Sequence, residues 1–173
     1  VSQRNSDWNS RNKIWSNSRL MEAGLARRHT TRRRAIVEAL ALKLENINGT
    51  PPFRSAVQNV ERRLKFWDEV TEFPAIHIGA GTETREYDGG GFRFRFLRIT
   101  IRCYVSDDSD VIQALEELLE DVETVLEDND PLTYYDSTGT SQSTVQTTIG
   151  TVDTDEGVLE PLGVGEITCE IRY

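Results

Sequence analysis

The first clear periodicity along the chain starts at Thr31. Ile36, Leu40, Leu44 and Ile47 recur at spacings of four, four and three, with Val37 and Ala41 beside them, which predicts an amphipathic helix. Thr30 or Thr31 can cap its start, Asn48-Gly49 supplies a left-handed stop, and Pro51-Pro52 forbids continuation. Residues 53–70 carry two readings. Val57, Val60 and Leu64 fit a helix, while the first half equally fits an edge strand leading into a short KFWDEV turn. AIHIG (75–79), after Pro74, predicts a short buried strand, and the acidic segment TETREYD then runs to a loop tip at Gly89-Gly90-Gly91.

FRFRFLRITIRCYV (92–105) gives the strongest strand pattern and contains a phase error. Phe92, Phe94 and Phe96 place apolar groups on the even face, whereas Leu97, Ile99, Ile101, Cys103 and Val105 place them on the odd face. A β-bulge near Phe96–Arg98 would repair the slip. Alternatively, the first half projects as a hairpin arm that shows Phe on one side and Arg93 and Arg95 on the other. Both readings make residues 85–97 an interface candidate.

A second helix is predicted over 110–127, with Ser109 as its cap. Its stripe of Val111, Leu115, Leu118, Val122 and Val125 is backed by Ile112, Leu119 and Leu126. The opposite face carries Glu116, Glu117, Glu120, Asp121, Glu123 and Glu127, six acids with no basic partner in sight; a solvated face is the ordinary explanation. DNDPLTYYDSTGTSQS reads as a long loop. Two alternating strands follow at 144–152 and 165–173, the latter with Ile167, Cys169, Ile171 and Tyr173 on one face. This order predicts an α+β fold, a mainly antiparallel or mixed sheet with two principal helices packed on one face.

Charge changes this picture by splitting the chain. The net charge is −9 over 173 residues, yet residues 1–34 hold nine Lys+Arg against Asp7 and Glu22, while Cys103–Tyr173 holds eighteen Asp+Glu and one Arg. Residues 1–30 are rich in Ser, Asn and Arg and have little periodicity. They are expected to form a flexible or partner-ordered basic arm on a single domain of residues 31–173. Trp8 and Trp15 within that arm mark it as a docking segment. The Arg32–Arg34 run opposes the dipole of the first helix, so a nearby acid is expected to offset it.

Composition also bounds the chemistry. A hydrophobic fraction of 37% with 28% charge fits a soluble globular chain, and the apolar runs are too short to span a bilayer. Cys103 and Cys169 form no CxxC pair and sit in strand-like stretches, where buried free thiols in a reduced setting are expected. The segment DTDEG (153–157) fails the EF-hand pattern, because Gly157 stands at the fifth position and Val164 at the twelfth. An acidic turn between two strands is its commoner use. His29 and His77 are the two histidines, with His77 expected as a satisfied core residue, and no zinc spacing exists. G-A-G at 79–81 leads to no helix, and GxSxG is absent. The sequence therefore predicts no enzyme, no cofactor and no metal site. RRHTTRRR (27–34) and FRFRF could touch nucleic acid, although a pI near 4.8 opposes a broad nucleic-acid surface.

Residues 34–173 resemble the tail terminator (tail completion) proteins of long-tailed bacteriophages. The resemblance is carried by RAIVEALALKL with INGT, by FWDEVTEFPAI with GAGTETREY, by FRFRFLRITIRCYV before an acidic helix, and by VDTDEGVLEPLGVGEITCEIRY. It implies a structural virion protein at the head-proximal end of the tail, assembled in the host cytoplasm. Such a protein forms a hexameric ring that caps the tail tube, stops its polymerisation and joins it to the head-neck complex. The implied partners are further copies of the chain, the tail tube protein, a neck or connector protein and, as a further candidate, the tail sheath; genomic DNA passes only in transit, and no membrane is involved. A cyclic ring needs heterologous surfaces, and a basic arm on an acidic body is self-complementary in that manner. On this reading Trp8, Trp15, Arg32, Arg33, Arg34, Arg93, Arg95, Asp153, Asp155 and Glu156 are interface candidates. Glu116, Glu117 and Glu120 are candidates for lining the channel. Two alternatives remain open at this point, a head–tail connector and a nucleic-acid-binding protein acting through its basic arm.

Overall fold

The computed structural model describes residues 31–173. The expected basic arm, with Trp8, Trp15 and His29, lies outside the described residues. Helix α1 runs Arg32–Leu44, and Thr31 caps it by accepting a hydrogen bond from the Arg34 N–H at 3.3 Å. It ends earlier than its apolar stripe suggests. Ile47 is fully buried but lies in the turn beyond the helix, and Gly49 (φ +72°) shapes the subsequent turn rather than the helix stop.

Residues 53–70 contain no helix. They form a short strand β1 (Asn59–Glu61) and a single 3₁₀ turn at Trp67–Glu69, as the edge-strand reading expects. Strands β2 (Ala75–Tyr87), β3 (Arg93–Ser106), β6 (Gln146–Thr154) and β7 (Leu162–Arg172) complete a five-stranded sheet in the order β1-β2-β3-β7-β6. Only β1 pairs in parallel; all other neighbours are antiparallel. Between them, α2 spans Val111–Asp128, followed by a small hairpin of β4 (Thr133–Tyr135) and β5 (Ser141–Ser143). The fold is the predicted α+β arrangement.

Several local expectations are corrected. The strand beginning at AIHIG does not stop at Gly79 but continues to Tyr87, because the acidic segment pairs with residues 93–97 of β3. The segment after α2 is not a plain loop: Leu132 and Tyr134 enter the core, and Asp136 organises the β4–β5 turn. The cap of α2 is Asp110, which accepts from the Gln113 N–H at 3.0 Å, while the Ser109 hydroxyl bonds to Asp107. Ile112 is half exposed rather than part of the buried backing.

Both helices pack on the same face of the sheet, α1 over β2 and α2 over β3 and β7. Leu97, Ile99, Ile101, Cys103 and Val105 meet Ile36, Leu40 and Leu44 of α1 and Leu115, Leu118, Val122 and Val125 of α2 in one core. Burying aliphatic side chains of this kind contributes about 1.5–3 kcal/mol each. Close approach of α2 depends on two glycines of β7. A Cβ on Gly163 would come within 2.9 Å of Val111, and one on Gly165 within 3.0 Å of Leu119. The helix therefore lies directly over β7 and leaves the outermost strand, β6, largely exposed.

The phase error in the long strand has an unexpected resolution. Strand β3 pairs with β7 without interruption from Phe96 to Ser106, so no bulge occurs in β3. The extra residue sits on β2, between Ala80 and Glu83, opposite Arg98. Phe94 and Phe96 remain on the face away from the helices, where the Arg172 guanidinium covers them at 4.1 and 5.9 Å from their ring centres. That cover explains how aromatic side chains persist on the outer face: the cation sits over the rings and shields them from water.

Candidate assembly interface

The distal half of the β2–β3 hairpin forms a two-stranded ribbon. Strand β7 ends its pairing at Phe96, and β1 reaches only His77, so apart from the Tyr173 N–H, which donates to the Arg95 carbonyl at 3.0 Å, Arg93–Arg95 and Arg85–Tyr87 pair only with each other. The projecting-arm reading of the long strand describes this geometry. Register places Arg85 opposite Arg95 and Tyr87 opposite Arg93, which gathers three guanidiniums and a phenol on one face. Arg93 lies 5.6 Å from the centre of the Tyr87 ring, and Tyr87 and Phe92 are each 68% exposed.

Glu83 anchors the ribbon's base. Its side chain is 7% exposed and accepts hydrogen bonds from Arg85 Nε and the Tyr173 hydroxyl, each at 2.8 Å, while Arg33 approaches to 3.8 Å. Burial alone would push the Glu83 carboxyl up, but the hydrogen bonds from Arg85 and Tyr173 and the nearby charges of Arg85 and Arg95 hold it below the usual carboxylate range. Arg33 also donates to the Gly81 carbonyl, so this basic residue at the start of α1 finds both an acid and a carbonyl, as the opposed dipole requires. Arg32 and Arg34 are exposed.

The acidic helix face divides into distinct roles. Asp121 is buried and accepts from the backbone N–H groups of Arg54 and Ser55 at 2.7–3.2 Å, fastening the segment before β1 to α2. Glu120 pairs with the Arg54 guanidinium at 2.6 Å, so the expectation of six acids without a basic partner is corrected for Glu120, while the partners of Asp121 are backbone groups. Glu116 and Glu117 flank the same hollow of about 310 Å³, with Val152 of β6 on its far side. A second hollow of about 350 Å³ lies further along between α2 and β6, lined by Leu126, Glu127, Asp130, Thr147 and Ile149 among others.

DTDEG forms the turn between β6 and β7. Asp155 accepts from the Leu159 and Val164 N–H groups at 3.2 Å, and Glu156 (φ 54°) and Gly157 (φ 79°) take the left-handed conformations that reverse the chain. Asp153 and Glu156 point to solvent, whereas Asp155 is engaged within its own turn. No group of three or more potential metal-binding side chains occurs among the described residues. Cys103 and Cys169 are buried free thiols, their pKa values pushed up to about 12 by desolvation.

His77 corrects one expectation. It is buried as predicted, but neither ring nitrogen has a hydrogen-bond partner. Its ring packs against Tyr104 at 4.9 Å, beneath a loop whose Lys65 carbonyl accepts from the Tyr104 hydroxyl. Desolvation pushes its pKa down, so the neutral form is the buried one. Sequence reasoning also missed Glu83 and Asp121, both of which looked like ordinary surface acids.

Open strand edges, a projecting basic ribbon and unevenly distributed charge are the features of a subunit that contacts other protein. The sequence matches the family model described as Bacteriophage Tail Tube Terminator Protein over residues 30–173. The chain belongs to this family, structural virion proteins of the phage tail. It is 30% identical over 143 residues to tail tube terminator protein p142 of Escherichia phage T5, a match covering 80% of this chain and 89% of that protein. Among solved structures, a chain from the virion of a native gene transfer agent particle aligns with a TM-score of 0.47 and 9% identity, covering 80% of this chain and 93% of that one. No helix among the described residues is long and apolar enough to cross a membrane.

Proposed function

We propose that this protein forms a ring, hexameric as its family resemblance implies, on the last ring of the tail tube, where it stops polymerisation and offers its opposite surface to the neck of the head. The observation that carries the reading is the family match across residues 30–173. The fold supports it in kind: the subunit exposes unlike surfaces at its two sides, as a heterologous, closing interface requires. Partners on this reading are further copies of the chain, the tube protein and a neck protein, with the tail sheath as a further candidate. Arg32, Arg34, Arg93 and Arg95 supply the basic side of subunit contacts, with Trp8 and Trp15 of the arm, and Asp153 and Glu156 the acidic side. Glu116, Glu117 and Glu120 face the channel, where their charge keeps passing DNA from adhering.

Tail length measured by electron microscopy in phage lacking this gene tests the proposal. Overlong or ragged tails that fail to join heads are expected. Tails of normal length beside unjoined heads would instead assign the protein to the connector.

A further inference from the structure

We infer that the edge strand β6 and the hollow beside it receive the β2–β3 ribbon of the neighbouring copy, extending the sheet from one subunit into the next. This inference rests on the ring reading and specifies its interface. Three observations carry it. The first is that β6 is an open edge: its nine residues, QTTIGTVDT, include no Lys, Arg or Pro, and although a bulge at Gly150 interrupts its pairing with β7, one side of its backbone has no strand partner. Edges of that length are normally protected by charge, proline or a covering element, and here α2 lies over β7 instead. An open edge rich in Thr, with Ile149 and Val152, is a template for strand addition.

The second observation is the hollow between the edge and α2. Leu126 and Ile149 give it an apolar floor, and Glu127 and Asp130 an acidic wall, while the Asp130 carboxylate also receives the Thr147 N–H at 2.9 Å and so fixes the first turn of the strand. The third is the complementary ribbon. Its face of Arg85, Arg93, Arg95 and Tyr87 is basic and aromatic, its backbone has no strand partner on either margin beyond the Tyr173 N–H bonded to the Arg95 carbonyl, and it extends three residue pairs beyond the end of β7, roughly 10 Å of strand. The ribbon leaves the body at the level of Gln146, which pairs with Arg172 at the same end of the sheet as Phe96. Ribbon and hollow therefore lie at the same end of the sheet, the ribbon continuing β2 and β3 and the hollow beside β6 with β7 between them, so rotation about a ring axis keeps the two at one height in neighbouring copies. The ribbon's own acids, Glu86 and Asp88, lie off the Arg93 face or in its turn, and they meet the polar rim rather than the hollow.

Paired cysteines test this directly. Phe92→Cys with Thr148→Cys, both exposed positions, would be introduced into the chain in the phage, and purified tails treated with a short bismaleimide. The native thiols are buried and will not compete. A ladder of covalent multimers is expected from the pair, none from either single variant, and none from Phe92→Cys with Phe66→Cys on the far side of the sheet. Arg93→Glu should lower the ladder's yield about three-fold, the scale of one surface ion pair, and Glu127→Lys in the same chain should restore it. Normal-length tails without a ladder would overturn the ribbon contact while leaving the terminator assignment intact. Normal-length tails in the gene deletion would remove the terminator assignment itself.

Discussion

The Tyr173 hydroxyl donates to the Glu83 carboxylate at 2.8 Å, linking the end of β7 to β2 across the intervening β3. The bond falls where the two-layered body gives way to the projecting ribbon. Arg85 and Arg33 complete the cluster from the ribbon and from α1, so a single buried carboxylate holds three elements in register.

Replacing Glu83 with Ala should therefore destabilise the protein by about 1–3 kcal/mol, since the part-buried Tyr173 hydroxyl and the exposed Arg85 both lose their buried acceptor. Tyr173→Phe removes one donor and should cost about 1 kcal/mol. Urea unfolding followed by tryptophan fluorescence would rank the two, and equal losses would show that Arg85 contributes nothing at this site.

Asp121 makes a different kind of bond. Its oxygens receive two consecutive backbone N–H groups, and Asp121→Ala should destabilise by about 1–3 kcal/mol because those donors are left without partners. Asp121→Asn keeps one acceptor and should fall between. Glu120→Ala, which removes an exposed pair with Arg54, should change stability by less than about 1 kcal/mol.

Acid should loosen the β4–β5 hairpin in a defined window. Asp136 accepts from the Thr138 hydroxyl, the Thr138 and Thr140 N–H groups and Gln142, and these bonds hold its pKa at about 2, against 3.8 for a free aspartate. A depressed carboxylate contributes stability that is fully present above the unfolded value and is lost as pH falls through the folded one. Hydrogen exchange at Thr138–Thr140 should accelerate between pH 3.8 and about 2 in the native chain. Asp136→Asn should abolish that pH step.

His77 should give the opposite result on substitution. With no partner on either ring nitrogen, His77→Phe should stabilise the fold by about 1 kcal/mol while keeping the ring contact with Tyr104. Because the folded pKa is lowered, the native protein should lose stability as pH falls below the ordinary value of 6.5, and the Phe variant should not. Thermal melting at two pH values would decide it, and parallel losses in the two proteins would show that another group is responsible.

The apolar periods of Ile36–Leu44, Val111–Leu126 and Ile167–Ile171 made the two helices, the last strand and one core face legible, because burial of one face imposes its repeat on the sequence. The ribbon was half legible: the phase change in FRFRFLRI is visible, but its remedy lies on β2, where Gly81-Thr82 carries no distinguishing pattern. Glu83 and Asp121 were hidden because each is buried by residues remote in sequence, Tyr173 and Arg54. The β4–β5 hairpin escaped because three-residue strands are too short to show alternation. His77 was placed correctly in the interior, but the lack of partners is a fact of packing that a single letter cannot carry.

The extra residue in β2 has a further consequence for how this surface can vary. Ahead of it, Ile76, Ile78 and Ala80 face the helices; beyond it, Glu83, Arg85 and Tyr87 do, so the strand changes parity midway. Removing one residue at Gly81-Thr82 would rotate every later side chain to the opposite side without altering any of them. Arg85 and Tyr87 would exchange places with Thr84 and Glu86, setting a carboxylate in place of a guanidinium beside Arg93 and Arg95, which stay where they are. Along this strand, a change in length by a single codon can therefore redraw the charge of the surface a neighbour meets.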